Sequence, residues 1–160
     1  AIMFDGGEEV VRVRGFSDPG MPIAYGELES AELLVDTVFE RRPQLKDGLI
    51  VLGTDSMVSK HWLDARDARC EYALQILWRI EQKLKTHGCR LYTVYINTKN
   101  NLGDMPSRLG RERYLKALQS EEACQRRVAT LAALRRGERE ARGMFIAGGA
   151  LTGGTEKSKR

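Results

Sequence analysis

The sequence predicts an α/β fold, a mixed β-sheet flanked by helices, with a helical extension at its C-terminal end. Three observations predict it. Apolar residues alternate near the start of the chain, recur at helical spacing around residues 28–39 and 70–84, and fill two branched runs at residues 49–52 and 91–96. The resulting order of hairpin, helix, strand, helix and strand implies a mixed sheet with helices packed on it. At 160 residues there is room for one domain with a real core and one short appendage. A hydrophobic fraction of 42% and a charged fraction of 30% exclude disorder through most of the length.

In chain order, Ala1-Ile2-Met3-Phe4 is a short apolar run, Asp5-Gly6-Gly7 supplies turn residues that tolerate positive φ, and Val10 to Arg14 ends in alternation. That pattern is a β-hairpin. Ser17-Asp18-Pro19-Gly20 is a turn cluster, leaving room for a third short edge strand at most. Leu28, Ala31, Val35, Val38 and Phe39 then share one helical face, and Pro43 forbids continuation of that helix. Leu49-Ile50-Val51-Leu52 suits a strand buried on both faces, ending at Gly53-Thr54-Asp55.

A short helix is expected after Asp55. A longer one follows the line of Cys70, Ala73, Leu74, Leu77, Ile80 and Leu84, with Trp78 on its core-facing side and His87-Gly88 as its stop. The run from Leu91 to Ile96 is another strand, Asn97 to Gly103 is polar and turn-rich, and Asp104 opens a short helix. Beyond it, Tyr114, Leu115, Leu118, Cys124, Val128, Leu131 and Leu134 punctuate a charged helical stretch that reaches about Arg142. The expected divisions are a domain over 1–108, a basic helical extension over 109–143, and a flexible Gly-rich basic tail over 144–160.

No run of about eighteen apolar residues exists, so no membrane insertion is expected, and the N-terminus lacks the pattern of a secretion signal. An intracellular setting, in cytoplasm, nucleus or organelle, follows as the expectation. Cys70, Cys89 and Cys124 have neither zinc-site spacing nor the density of a disulfide scaffold and are expected to be reduced. His61 and His87 lack a second ligand at metal spacing and are expected at the surface or in loops. The net charge of +4 is uneven: residues 109–160 carry twelve Lys and Arg against six Glu, which leaves the preceding part slightly acidic. Any attraction for nucleic acid is therefore concentrated in the extension.

Three carboxylates stand at element ends: Glu27 in the first turn of a helix, Asp55 at a strand end, and Asp104 opening the last helix of the domain. Strand carboxyl ends in open α/β sheets are where ligands bind, and Mg²⁺ prefers carboxylate and water oxygens. Singly, each acid has a plain structural reading: Glu27 complementing a helix dipole, Asp55 and Asp104 capping the helices that follow them.

Ile23-Ala24-Tyr25-Gly26-Glu27-Leu28 resembles the helix entry of ribonuclease H domains attached to retrotransposon reverse transcriptases. Leu52-Gly53-Thr54-Asp55-Ser56 is similar to their strand ending in Thr-Asp, with Ser56 where Asn is commoner, and Asn100-Asn101-Leu102-Gly103-Asp104-Met105-Pro106-Ser107-Arg108 resembles their closing motif. The resemblance spans residues 1–108 and implies a ribonuclease H-like fold. It also implies that Glu27, Asp55 and Asp104 are catalytic acids holding Mg²⁺, and that the substrate is RNA paired with DNA, whose RNA strand is hydrolysed by two-metal catalysis.

In that family a further acid sits in a first strand, well before the helix that carries the Glu. Asp5 lies only twenty-two positions before Glu27, in a turn context, and does not match it. The expectation is that this acid lies upstream of Ala1 or has been lost, which leaves the chain as given inactive. The alternative is a catalytically inactive structural subunit of a larger assembly, such as a ribonucleoprotein or organellar complex, joined to other subunits through residues 109–143. A third reading is a nucleic-acid-binding module, binding RNA or hybrid through Arg126, Arg127, Arg135 and Arg136. The interspersed Glu residues leave an ordinary solvated face equally open for those arginines. Trp62 is expected to be a partly buried aromatic, with stacking on a base as its other reading.

Overall fold

A computed structural model describes residues 1–12 and 20–152, with side chains through Met144. It is a mixed α/β structure in which helices flank two small sheets. Strands β1 (Ile2–Asp5) and β2 (Glu8–Val11) pair antiparallel, with Met3 opposite Val10 and Phe4 opposite Glu9. Gly6 and Gly7 make the turn at φ 56° and 89°, the conformation that a two-residue hairpin loop of matching twist requires. The third edge strand allowed by the sequence falls mostly on 13–19, outside the described residues.

Helix α1 (Ile23–Arg41) buries Leu28, Ala31, Val35 and Val38 along one stripe, as the spacing requires. Strand β3 (Leu49–Thr54) follows and pairs in parallel with β4 (Arg90–Tyr95), Leu49 opposite Arg90 and Thr54 opposite Tyr95. The crossover between them carries α2 (Met57–Ala65) and α3 (Glu71–His87). Gly88 closes α3 at φ 62°, donating to the carbonyls of Leu84 and Lys85.

Trp78 departs from expectation. It is 64% exposed, with Leu74 beside it at 39%, because the buried stripe of α3 is Ala73, Ile76, Leu77, Ile80 and Leu84. His87 also departs: it is half-buried, stacks on Phe39 at 3.9 Å between centroids, and places Nδ1 3.0 Å from the Leu45 carbonyl oxygen. His61 is exposed as expected. Trp62 stacks on Tyr25 within the protein at 5.7 Å. All three cysteines are free.

Alternation assigns the two faces of the β3–β4 pair. Ile50 and Leu52 join the core formed with α1 and α3, whereas Val51, Val94 and Ile96 pack against Ala133 and Leu134. The latter two belong to α6 (Glu121–Thr152), which follows a 3-10 turn (Thr98–Asn100) and two short helices, α4 (Asp104–Leu109) and α5 (Arg111–Lys116). The helix runs past Arg142 and through part of the Gly-containing stretch, where Met144 to Ala147 and Ala150-Leu151 sustain helical propensity.

Packing also crosses residue 108. Tyr114 is fully buried with Ile2, Phe4 and Val11 of the hairpin and with Leu102, Met105 and Ala123. The seam of α6 consists of small residues: Ala123, Thr130, Ala133 and Ala141 are buried, while Val128 is 70% exposed. Close approach explains the choice, since a Cβ at Gly137 would collide with Val94 and stand 3.2 Å from Val51 Cγ1. The extension thus covers the second face of the sheet.

Two outcomes follow. Truncation after Arg108 uncovers Val51, Val94 and Ile96 and should abolish cooperative thermal unfolding; a sharp transition in the truncated chain would show that the extension is dispensable. Gly137→Val should cost about 1–3 kcal/mol by overpacking, against a small gain in helix propensity. A melting midpoint equal to that of the parent would contradict the close seating of α6.

Candidate functional site

Three elements carry the three acids. Glu27 is the fifth residue of α1, Asp55 follows directly on β3, and Asp104 opens α4. All three line one cavity of about 570 Å³, and the carboxyl of Glu27 feels the charges of both Asp55 and Asp104.

The capping readings fail for both aspartates. Ser56, not Asp55, caps α2, its hydroxyl accepting from the Ser59 backbone N–H at 3.1 Å. Gly103 occupies the cap of α4, so Asp104 lies within the first turn. Glu27 is past the reach of a dipole role and is partly buried instead. Its Oε2 is buried without a hydrogen-bond partner, a costly condition for a carboxylate. Burial pushes its pKa up, the nearby Asp55 and Asp104 push the same way, and a hydrogen bond from Ser56 pulls against them.

Asp104 is held differently. Its Oδ2 lies 2.8 Å from Arg108 Nε and 3.3 Å from Arg126 Nη1. Arg126 is only 16% exposed, and the same Nη1 also donates to the carbonyls of Thr98 and Asn101. The buried Leu102 N–H donates to Thr130 Oγ1 at 2.9 Å, and that hydroxyl donates to the Asn100 carbonyl at 2.8 Å. Helix α6 therefore holds the loop that presents Asp104.

Among the described residues, no group of three or more His, Cys, Asp or Glu side chains is close enough as placed to hold a metal ion. The three acids share a cavity and an electrostatic field, while Asp104 is engaged by guanidiniums. The donors nonetheless suit a hard cation: they are carboxylate oxygens, and one of them is buried and unpartnered.

Asp5 stands apart. It bonds to Arg42 beyond the C-terminal end of α1, and fifteen residues of helical rise, about 22 Å, separate Arg42 from Glu27. The Arg42 hydrogen bond holds the Asp5 carboxyl below its usual range.

The four arginines divide. Arg126 is taken up as described, and Arg127 places Nε 2.7 Å from Glu9 Oε2 of the hairpin, while the Tyr114 hydroxyl donates to Oε1 of the same carboxylate. Arg135 and Arg136 are exposed and free of such duties in the core. Sequence reading missed Ser56, Thr130 and the inward role of Arg126. The available signal was the small-residue period Ala123, Thr130, Gly137, which assigns the inner face of α6 and with it Arg126 and Arg127 near its edge.

Glu27 should make stability depend on pH in a particular direction. A carboxyl whose folded pKa is raised binds its proton more tightly when folded, so stability falls as pH rises from the unfolded value through the folded one. Glu27→Gln removes that fall. Its melting midpoint should gain on the parent between pH 4 and pH 8, and a constant difference would show that Glu27 carries no strained charge. Comparison of the chain with protein-family models, with curated proteins and with solved structures finds no match.

Proposed function

We propose that the chain is a ribonuclease H-like domain of retroelement origin that recognises RNA paired with DNA, with the acid cavity as its reaction centre. What supports the reading is the buried, unpartnered Oε2 of Glu27 in the same cavity as Asp55 and Asp104. A fold has no structural use for an orphaned carboxylate oxygen beside two other acids, whereas a cation would satisfy it.

Glu27, Asp55 and Asp104 would hold Mg²⁺, which when bound supplies an activated water and neutralises charge at a phosphodiester. Without it Glu27 keeps its proton further up the pH scale, and Ser56 stays hydrogen-bonded to it. Asp104, now paired with Arg108 and Arg126, would be the third carboxylate donor to that cation, and the exposed Arg108 would then be placed to meet the phosphate of the substrate. Selection of RNA rests on the 2′-hydroxyl, the group by which a site tells RNA from DNA. Arg135 and Arg136 extend an exposed basic face along α6 for the backbone.

One observation favours a second reading, a catalytically inactive structural subunit: Arg108 and Arg126 already neutralise Asp104. Activity separates the two. On a labelled hybrid with Mg²⁺, residues 1–160 should cleave the RNA strand slowly, because two metals need a bridging acid that Asp5, tied to Arg42, does not supply. Asp55→Asn should abolish that cleavage and Asp5→Asn should leave it unchanged. No cleavage under any condition favours the structural subunit, and robust cleavage lost in Asp5→Asn overturns the assignment of the acids.

A further inference from the structure

Trp78 stands at the centre of a helix face that nothing among the described residues covers. It is 64% exposed, and with Glu71, Leu74, Gln75 and Arg79 it lines a hollow on the outer side of α3. The buried stripe of the helix is complete without it, so the indole has no part in the core. An indole left in water is a large apolar surface without a partner, and tryptophan is among the side chains that most often anchor an interface.

The face is symmetric about Trp78 in position and opposite in charge. At about 100° per residue, Glu71, Leu74, Gln75, Gln82 and Lys85 all fall within about 60° of it around the helix. Glu71 lies seven positions before Trp78 and Lys85 seven after, while Gln75 lies three before and Gln82 four after. All four are exposed. The contacts that Glu71 and Lys85 make within the chain are long: Gln75 Nε2 stands 3.4 Å from Glu71 Oε1, and Lys85 Nζ 3.6 Å from Glu81 Oε1. Two such faces laid antiparallel, with a two-fold axis at Trp78, bring the two indoles together. Each Glu71 then stands opposite Lys85 of the other copy and each Gln75 opposite the other Gln82, and the two helix dipoles oppose.

We propose that α3 pairs with α3 of a second copy of this chain across Trp78, forming a symmetric dimer. A closed two-fold contact requires one patch that complements itself, and this face carries an acid at one end, a base at the other and the apolar pair Leu74 and Trp78 between them. The hollow beside Trp78 receives the indole of the second copy, and the exchange is mutual. An anionic nucleic-acid backbone fits less well, because Arg79 is held by the Glu32 carboxylate and both Glu71 and Glu81 flank the indole. From Glu71 to Lys85 the face is about 21 Å long, short for a protein interface, so the dimer is weak and forms at micromolar concentration or above. This inference stands on the outer face of α3 and holds whether or not the acid cavity hydrolyses a phosphodiester.

The test is sedimentation velocity on residues 1–160 at protein concentrations from about 1 to about 300 μM. The weight-average sedimentation coefficient should rise across that range, and Trp78→Ala should raise the dissociation constant about ten-fold or more while keeping the circular dichroism of the parent. Glu71→Lys and Lys85→Glu should each weaken self-association. An equimolar mixture of those two variants should recover it, because every pair of positions 71 and 85 between the two chains is then of opposite charge. Within one chain the two positions are about 21 Å apart, beyond the screening length, so the recovery reports a contact between chains. A chain that stays monomeric at every concentration, a dimer indifferent to Trp78→Ala, or a mixture no better than its components overturns the proposal. So does a labelled RNA–DNA hybrid that is bound by a monomeric chain and released by Trp78→Ala, which would make nucleic acid the occupant.

Discussion

The seating of α6 on the β3–β4 pair is the constraint from which most of the structure follows. A glycine at position 137 and a run of small residues let the helix backbone come within side-chain contact of Val51 and Val94. At that distance Thr130 reaches the backbone of the loop at 100–102 and Arg126 reaches Thr98, Asn101 and Asp104. The position of the third acid is thus set by a helix that begins well after it in sequence. The same helix, through Arg127, grips Glu9 and fixes the hairpin. The placement of Asp104 beside the cavity that Glu27 and Asp55 line thus depends on packing by residues 123–141.

Two glutamates on α1 show how differently one helix can treat a buried charge. Glu32, 7% exposed, is met by a bidentate Arg79 at 2.7 and 2.9 Å and by Lys83 at 3.0 Å. Burial raises its pKa, but those hydrogen bonds more than offset the effect and leave it below the ordinary value. Its contribution joins α1 to α3 above the usual carboxylate pKa and is lost as pH falls through the lowered one. Glu27 lies five residues earlier, about 140° around the helix, and receives neither arginine nor lysine. One charge is structural and satisfied; the other has an unpartnered buried oxygen beside two acids.

Much of this was legible in the sequence, for identifiable reasons. Elements whose period is set by one buried face, such as α1, β3 and α3, follow from apolar spacing because burial and pattern are the same fact there. Asp55 and Asp104 are conspicuous because they end a strand and open a helix. The inner face of α6 was hidden because close packing selects Ala, Thr and Gly, which carry little hydrophobic signal, while Val128 suggested the wrong stripe. Trp78 misled in the same way, a large apolar residue on a helix whose core stripe was already complete. The inward turn of Arg126 was hidden because two adjacent arginines read as a surface patch until their helix has an assigned face.

The central claim is that Glu27 is kept as an unsatisfied buried acid for a divalent cation. The most direct measurement is the titration of the Glu27 side-chain carboxyl carbon by NMR, with and without Mg²⁺. Without the cation the carboxyl should titrate above the ordinary glutamate range, and with it the midpoint should fall, since a bound cation favours the charged form. A Glu27 that titrates normally, or one whose raised midpoint is indifferent to Mg²⁺, would contradict the account.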